Sequence, residues 1–360
     1  MKNGLVILVP IYNDWLPAAR LVKQLDEVLV QHCLQTEILL VDDGSTQLMH
    51  AEMTSLRLRA IEQVQVLRLR RNVGHQRAIA IGLTYVEENM QGRALVVMDG
   101  DGEDDPSDIP RMVAKMEDVG EKMIVFAERT KRSESLTFRV FYYLYRMLHL
   151  LLTGMRVRVG NFSVIPWEML VRLVVVSELW SHYAAAVIKS RLLFETVPTQ
   201  RAKRIDGRSH MNFATLVLHG LSAISVFGEL VGVRLLVAAG IVTSALLMVF
   251  GGLVVAWFTT DLHIARWFIA SMGLLMVLAS AIVALAAVFA FLTLYARSNM
   301  SFLPLRDYAF FVYQRVCVYP SVDKRPGQSG NAEDLIGVQA HRCESGTSDA
   351  PCDGFPLRAP

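Results

Sequence analysis

The sequence predicts an α/β protein built on a mostly parallel sheet and continued by a pair of helices long enough to cross a membrane. Three observations predict it. Short apolar runs alternate with helix-period stretches from the N-terminus to about residue 200. Turns rich in Asp and Gly follow several of those runs, and in such sheets ligands gather beyond the carboxyl ends of the strands. Two uncharged stretches, residues 235–258 and 268–295, each exceed the roughly 20 residues that a spanning helix requires. The composition agrees, with 53% hydrophobic and 19% charged residues, against about 25% charged in soluble domains. Lys and Arg number 36 against 34 Asp and Glu, so no bulk charge excess points to a nucleic-acid partner, and none is expected.

The elements follow in order. Apolar runs at 5–9, 37–41, 65–69, 94–98 and 123–127 read as strands, with helical patterns such as 16–30 and 75–89 between them. The run 5–10 is too short for the apolar region of a secretory signal and Asp14 follows soon after it, so the chain is expected to begin in the cytoplasm. Cys33, Cys317, Cys343 and Cys352 show no metal spacing and no disulfide framework. Arg68, Arg70 and Arg71 read as a solvated strand edge. Phe213, Leu216, Val217, Leu221, Ile224, Phe227 and Val231 recur at helical spacing, which predicts one interfacial helix on the membrane; its alternative is a helix packed on the soluble domain. Arg201, Lys203, Arg204, Arg208 and Arg234 precede the first uncharged stretch, and Arg297 and Arg306 follow the second. The connection between the stretches holds only Asp261, His263 and Arg266, flanked by Trp257 and Trp267. The positive-inside rule therefore expects a hairpin with both outer flanks cytoplasmic. The expected domains are 1–210 for the α/β domain, 211–232 for the interfacial helix, 233–297 for the hairpin and 298–360 for a cytoplasmic tail, disordered from about 321.

The residues that can carry chemistry sit after the strands. Pro10-Ile11-Tyr12-Asn13-Asp14 and Asp42-Asp43-Gly44-Ser45-Thr46 are strand-to-helix turns. Their carboxylates can accept hydrogen bonds from a base or a ribose, and Tyr12 offers a stacking face. The fourth strand runs into Asp99-Gly100-Asp101-Gly102-Glu103-Asp104-Asp105. Five acids so close together repel one another unless solvent or a cation balances them. Read as an extended segment, alternation puts Asp99, Asp101 and Glu103 on one side, as hard oxygen ligands for Mg or Mn. An exposed acidic loop and a calcium loop are the alternatives. No G-x-G-x-x-G or Walker A run is present. His182, between aromatics, reads as packed, and His32 and Cys33 lack partners at metal spacing.

Together these motifs resemble the inverting family 2 glycosyltransferases of GT-A fold, in the membrane-anchored polyprenyl-phosphate sugar transferase branch related to dolichol-phosphate mannose synthase. The resemblance covers roughly residues 4 to 230, and the two-helix anchor matches one branch of that group. It rests on Val9-Pro10-Ile11-Tyr12-Asn13-Asp14, residues 41–47, Arg71-Asn72-Val73-Gly74-His75-Gln76 and residues 99–106. It implies that Pro10, Tyr12, Asp14 and Asp43 contact the donor nucleoside and that Asp99 meets the ribose or the metal. Asp101 and Glu103 would bind the metal, with Glu103 standing where the family usually has Gln. Arg129 looks like the arginine used near the phosphates, so that Asp99, Asp101 and Arg129 form the catalytic set. Asn161-Phe162-Ser163 resembles an acceptor-side G-D-F-R segment with Asn replacing Asp. The family's basic S-K pair stands here as Ser209-His210, which leaves acceptor phosphate to Arg204 or Arg208.

The function this implies is transfer of a sugar from a nucleotide-diphosphate donor to a lipid-linked acceptor, chiefly polyprenyl phosphate, with metal-assisted inversion. The alternatives are another lipid or glycan acceptor, a non-catalytic membrane-anchored nucleotide-binding module, and a nucleotidyltransferase on a similar sheet. The expected setting is a two-span protein of the bacterial inner membrane serving the cell envelope, with a cytoplasmic catalytic domain and room for homo-oligomers.

Overall fold

The computed structural model describes residues 4–129, 136–155, 159–200, 202, 204, 205, 213–259, 266–298 and 303–320. In chain order the first elements are β1 (Leu5–Ile11), α1 (Trp15–Gln31), β2 (Thr36–Asp42), the single turn α2 (Ala51–Thr54), β3 (Ile61–Leu69), α3 (His75–Asn89), β4 (Ala94–Val97), α4 (Ile109–Asp118) and β5 (Ile124–Arg129). They continue with α5 (Leu136–Thr153), β6 (Ser163–Pro166), α6 (Trp167–Leu173), α7 (Tyr183–Lys189), β7 (Phe194–Thr199), α8 (Phe213–Ser225), α9 (Gly228–Thr259), α10 (Arg266–Ser298), α11 (Pro304–Asp307) and β8 (Val312–Tyr319). The strands form one sheet in the order β7-β5-β6-β4-β1-β2-β3-β8. β1 pairs in parallel with β2 and β4, β2 with β3, and β5 with β7; β6 and β8 run antiparallel to their neighbours. The expected mostly parallel α/β sheet is therefore present.

Alternation along the central strands splits the core in two. Val6 and Leu8 of β1, Leu39 and Val41 of β2, and Leu95 and Val97 of β4 pack with α3, α6 and α7 on one face. Leu5, Ile7 and Val9, Ile38 and Leu40, and Ala94 and Val96 pack with α1 and α4 on the other. A strand buried on both sides must read as continuously apolar, which is why these runs were legible. Ile7, Leu8, Leu39 and Leu40 are fully buried, each contributing about 1.5–3 kcal/mol relative to exposure. This packing holds the carboxyl ends of β1, β2 and β4 rigidly at one edge.

Three features differ from expectation. β8 returns from beyond α10 to pair with the outer edge of β3, so the backbone of that edge is covered while Arg70 and Arg71 stay exposed: Arg70 Nε donates to the Val312 carbonyl at 3.1 Å, and Val312–Tyr319 belongs to the sheet and not to a tail. The predicted single interfacial helix divides at Val226–Phe227 into α8 and the start of α9. Part of its apolar stripe faces protein: Phe227 and Ala223 pack with Ala185 and Ile188 of α7, while Leu218 and Leu221 are exposed. Strands β6 and β7 complete the sheet where the sequence reading ended at the fifth strand.

α9 and α10 are long and apolar enough to cross a membrane, and they pack against each other while leaving large hydrophobic side chains exposed along their length. Close packing between the start of α9 and the end of α10 is visible at Gly232, where a Cβ would lie 3.0 Å from Ala290 Cα. The last three turns of α5 also expose Tyr143, Met147, Leu148 and Leu151. Arg234 of α9 donates to the Leu151 carbonyl at 3.1 Å, joining the N-terminal part of α9 to the C-terminus of α5. A cation at that end also complements the helix dipole. The connection 260–265 and the tail from residue 321 lie outside the described residues.

Candidate active site

The site is assembled at the shared carboxyl edge of β1, β2 and β4. Asn13, at φ 58°, ties the first two turns together. Its Oδ1 accepts the Thr46 and Gln47 N–H groups at 2.9 and 3.0 Å, and its own N–H donates to Ser45 Oγ at 2.8 Å. Asp42 Oδ1 accepts the Ser45 N–H at 2.9 Å. Gly44 sits at φ +72°, and a Cβ there would lie 2.6 Å from the Asn72 backbone nitrogen, so the turn requires glycine. These bonds leave Tyr12 41% exposed over the edge, with Pro10 buried in β1 and Asp14 at the start of α1.

Asp43 is 4% exposed. Its two carboxylate oxygens accept the N–H groups of Val73 and Gly74 at 2.7 and 2.9 Å. Burial pushes its carboxyl up from the ordinary range, although those two bonds pull the other way. Asp43 thus clamps the 72–74 turn and delivers α3 with its first residues, His75 and Gln76, to the site. His75 Nε2 lies 3.1 Å from Asp99 Oδ1. Burial acts to depress its imidazolium, but Asp99, with Asp101 and Asp43 behind it, lifts the pKa above the usual value. The 43% side-chain exposure of His75 limits the desolvation cost, so the carboxylates set the direction.

The acidic segment is a turn, not the extended run expected from alternation. Asp104 Oδ2 accepts the Asp99 N–H at 3.0 Å and Asp101 Oδ1 accepts the Glu103 N–H at 2.9 Å, with Gly102 at φ +79° between them. The turn sends the acids in two directions. Asp99 faces His75 and Asn161, whereas Asp101 and Glu103 face Arg204. Arg204 Nη2 donates to Asp101 Oδ2 at 2.6 Å, and its Nε lies 3.9 Å from Glu103 Oε1. The backbone N–H groups of Ala202 and Ile205 donate to the carbonyls of Glu103 and Asp101, so this short segment is strapped along the acidic turn. Among the described residues no group of three or more His, Cys, Asp or Glu side chains converges to hold a metal ion. Asp101 and Glu103 are the two carboxylates that together face one cation, the Arg204 guanidinium.

On the far side of β4, Asn161 Nδ2 lies 3.3 Å from Asp99 Oδ1 and 3.0 Å from His75 Nε2. Gln76 bridges Asn161 to the Tyr183 N–H. The fully buried Tyr183 has its phenol pushed up by burial and stays neutral. Because Ser163 spends its hydroxyl proton on the Asn161 carbonyl, Tyr183 donates to Ser163 Oγ at 2.6 Å. His182 caps α7 and is 5% exposed, a packed residue as read. Arg129 ends β5 at the same edge, opposite Thr199 of β7; its side chain, and Arg208, Ser209 and His210 entirely, lie outside what is described. The structural roles of Asn13, Asp104 and Gln76 went unread, although all three stand inside the quoted motifs.

Residues 6–172 match the family model described as Glycosyl transferase family 2. They form a family 2 glycosyltransferase domain. The site described above falls within this glycosyltransferase domain except for Tyr183 and the 202–205 strap. The chain is 36% identical over 135 residues to the uncharacterized glycosyltransferase YkcC of Bacillus subtilis, covering 37% of this chain and 39% of that protein. It is 33% identical over 113 residues to the dodecaprenyl-phosphate galacturonate synthase of Rhizobium johnstonii (31% and 32% covered). It is 31% identical over 107 residues to the undecaprenyl-phosphate 4-deoxy-4-formamido-L-arabinose transferase of Erwinia tasmaniensis (30% and 32% covered). The chain thus spans 32–39% of the length of these relatives. Among solved structures, glucosyl-3-phosphoglycerate synthase from Mycobacterium tuberculosis aligns with a TM-score of 0.45 at 17% identity, over 64% of this chain and 80% of that one.

Proposed function

We propose that this chain is a membrane-anchored glycosyltransferase that moves a sugar from a nucleotide-diphosphate donor to a polyprenyl phosphate, with inversion at the anomeric carbon. The observation that carries the reading is the convergence of the β1, β2 and β4 turns with the start of α3 around Asp99 and Asp101, within a unit that also holds two membrane-length helices. The acceptor class is supported by the relatives named for dodecaprenyl and undecaprenyl phosphate.

The chemistry of the Asp101–Glu103 pair fits a divalent metal. The pair already shares a cation, the Arg204 guanidinium, and its hard oxygens suit Mg or Mn. Such ions are commonly bound by one or two carboxylates together with substrate phosphates and water. When bound there, the metal supplies charge neutralisation for the leaving diphosphate. The chain's own groups do the rest. Tyr12 offers a face for the base, Asp99 meets the ribose or the metal, and Arg129 serves the phosphates. Arg204 and Arg208 are the cations for an acceptor phosphate, and Ser209 and His210, next in the sequence, join them. A phosphate acceptor is already anionic near neutral pH and attacks without a dedicated base.

α9 and α10 form the anchor, with the arginine-flanked ends and the catalytic domain on the cytoplasmic face. The exposed apolar residues of α5 and α8 rest on the bilayer beside α9. The bacterial sources of the relatives support an inner-membrane setting.

Membranes containing the protein, incubated with a panel of radiolabelled nucleotide sugars and undecaprenyl phosphate, are expected to transfer label into the lipid extract. Label that stays water-soluble with every donor would overturn the reading. The topology has its own expected result. Because β8 pairs with β3, Cys317 must lie on the same side as the catalytic sheet. In intact cells a variant keeping Cys317 as its sole cysteine should react with a membrane-permeant thiol probe and resist an impermeant one. Labelling by the impermeant probe would reverse the orientation.

A further inference from the structure

The amides of Gln76 and Asn161 form a chain whose polarity has one consistent setting. Gln76 is 9% exposed in the first turn of α3. The Tyr183 backbone N–H, 2.7 Å away, can only donate, so Gln76 must present Oε1 to it. Gln76 Nε2 then points at Asn161 and, at 3.0 Å, requires the Asn161 oxygen. That leaves Asn161 Nδ2 as the group facing Asp99 Oδ1 at 3.3 Å. A donor fixed at the start of α7 thereby dictates, through two side chains, that Asp99 meets an N–H and not a carbonyl.

We propose that Gln76 is a positioning residue: its amide holds Asn161 with Nδ2 toward Asp99 Oδ1, so that the Asp99 carboxylate keeps the orientation in which it meets the donor nucleotide. This rests on the reading of Asp99 as a donor-facing group. Asp99 Oδ1 takes its donors from the Asn161 and His75 side, and its backbone N–H is held by Asp104. The carboxylate is thus restrained on one side while 27% of its side-chain surface stays exposed. The segment Gly160-Asn161-Phe162-Ser163 is itself fixed, by the buried Phe162 and by the Tyr183–Ser163 bond, so Asn161 can respond to Gln76 by turning its amide rather than by moving away.

Two substitutions separate positioning from mere packing. In Gln76→Glu the new carboxylate still accepts the Tyr183 N–H, but its second oxygen faces Asn161 Oδ1 and favours the flipped amide, which then turns an oxygen on Asp99. In Gln76→Met the Tyr183 N–H loses its partner, an effect on stability, while Asp99 alone still draws the Asn161 N–H toward it. A structural role therefore ranks Met as the more harmful change, and a positioning role ranks Glu as the more harmful for ligand binding.

The test uses the full chain in detergent at pH 8.5 with Mn2+, titrated calorimetrically with UDP, GDP, ADP, CDP and dTDP, alongside thermal unfolding. Gln76→Glu is expected to weaken the tightest nucleotide by about tenfold or more, since a bond to a charged group is replaced by a repulsion. Gln76→Met is expected to stay within about threefold of wild type but to melt earlier. Arg77→Gln makes the same one-unit charge change one residue away without touching the amide chain, and should bind within about twofold of wild type. Equal affinities for Gln76→Glu and wild type would overturn the inference alone, as would affinity losses in the Glu and Met variants that simply follow their melting temperatures. An Arg77→Gln loss as large as that of Gln76→Glu would reduce the effect to charge and overturn it too. Wild-type protein that binds none of the nucleotides would overturn the glycosyltransferase reading, and the inference with it.

Discussion

Asp101→Asn is expected to lose about 100-fold or more of its turnover while remaining folded and membrane-bound, on the scale seen when one preorganised electrostatic group is removed from a reacting centre. The fold tolerates the change because an Asn oxygen still accepts the Glu103 N–H that closes the turn. What is lost is one of the two negative charges that face Arg204 and that, on the proposed mechanism, hold a divalent metal. Sugar transfer by wild type should also vanish in excess chelator and return with Mg or Mn. A fully active Asp101→Asn, or wild-type transfer undiminished by chelator, would remove the metal from the mechanism.

Asp43→Ala is expected to destabilise the domain by about 3 kcal/mol, because it leaves two N–H groups without the charged acceptor that each now has. Asp43→Asn should fall between, since one amide oxygen can keep one of the two bonds. Activity should drop with stability, because the 72–74 turn carries His75 and Gln76 to the site. Thermal unfolding of purified variants checks this. Melting of Asp43→Ala at the wild-type temperature would show that the carboxylate is reserved for the donor and does not clamp the turn.

The parts of this molecule legible from sequence are those whose physics is local. β1, β2 and β4 read clearly because both faces of each are buried, which makes Leu5–Ile11, Ile38–Val41 and Ala94–Val97 unbroken apolar runs. β6 has only four residues and ends in Pro166, and it was invisible as a strand. β8 carries a readable β-rich pattern, Val-Tyr-Gln-Arg-Val-Cys-Val-Tyr, but its partner β3 lies on the far side of two apolar helices in the sequence. The acids of the site were legible as a cluster; their directions were not. Gly100 and Gly102 favour a turn over an extended run, and the turn separates Asp99 from Asp101. The partners of Asp99 could not be read at all, because His75 and Asn161 are 86 residues apart and meet only through the strand order that sets β6 beside β4.

The return of β8 to the sheet also bears on how the protein is made. Residues 312–319 leave the ribosome only after both apolar helices have been synthesised, yet they cover the outer edge of β3, which is complete by residue 69. Through most of translation that edge presents unpaired backbone groups, the kind of template on which strands from other chains assemble. The domain therefore cannot close before the apolar segment is built, and a chain stalled or cut between α9 and β8 leaves a sticky intermediate. Contacts this distant in sequence also form late in folding, because the loop-closure entropy must be met first. Biosynthesis is vectorial here: anchoring precedes completion of the catalytic sheet, and a product truncated before Val312 should be recognised by its aggregation and not by a simple loss of activity.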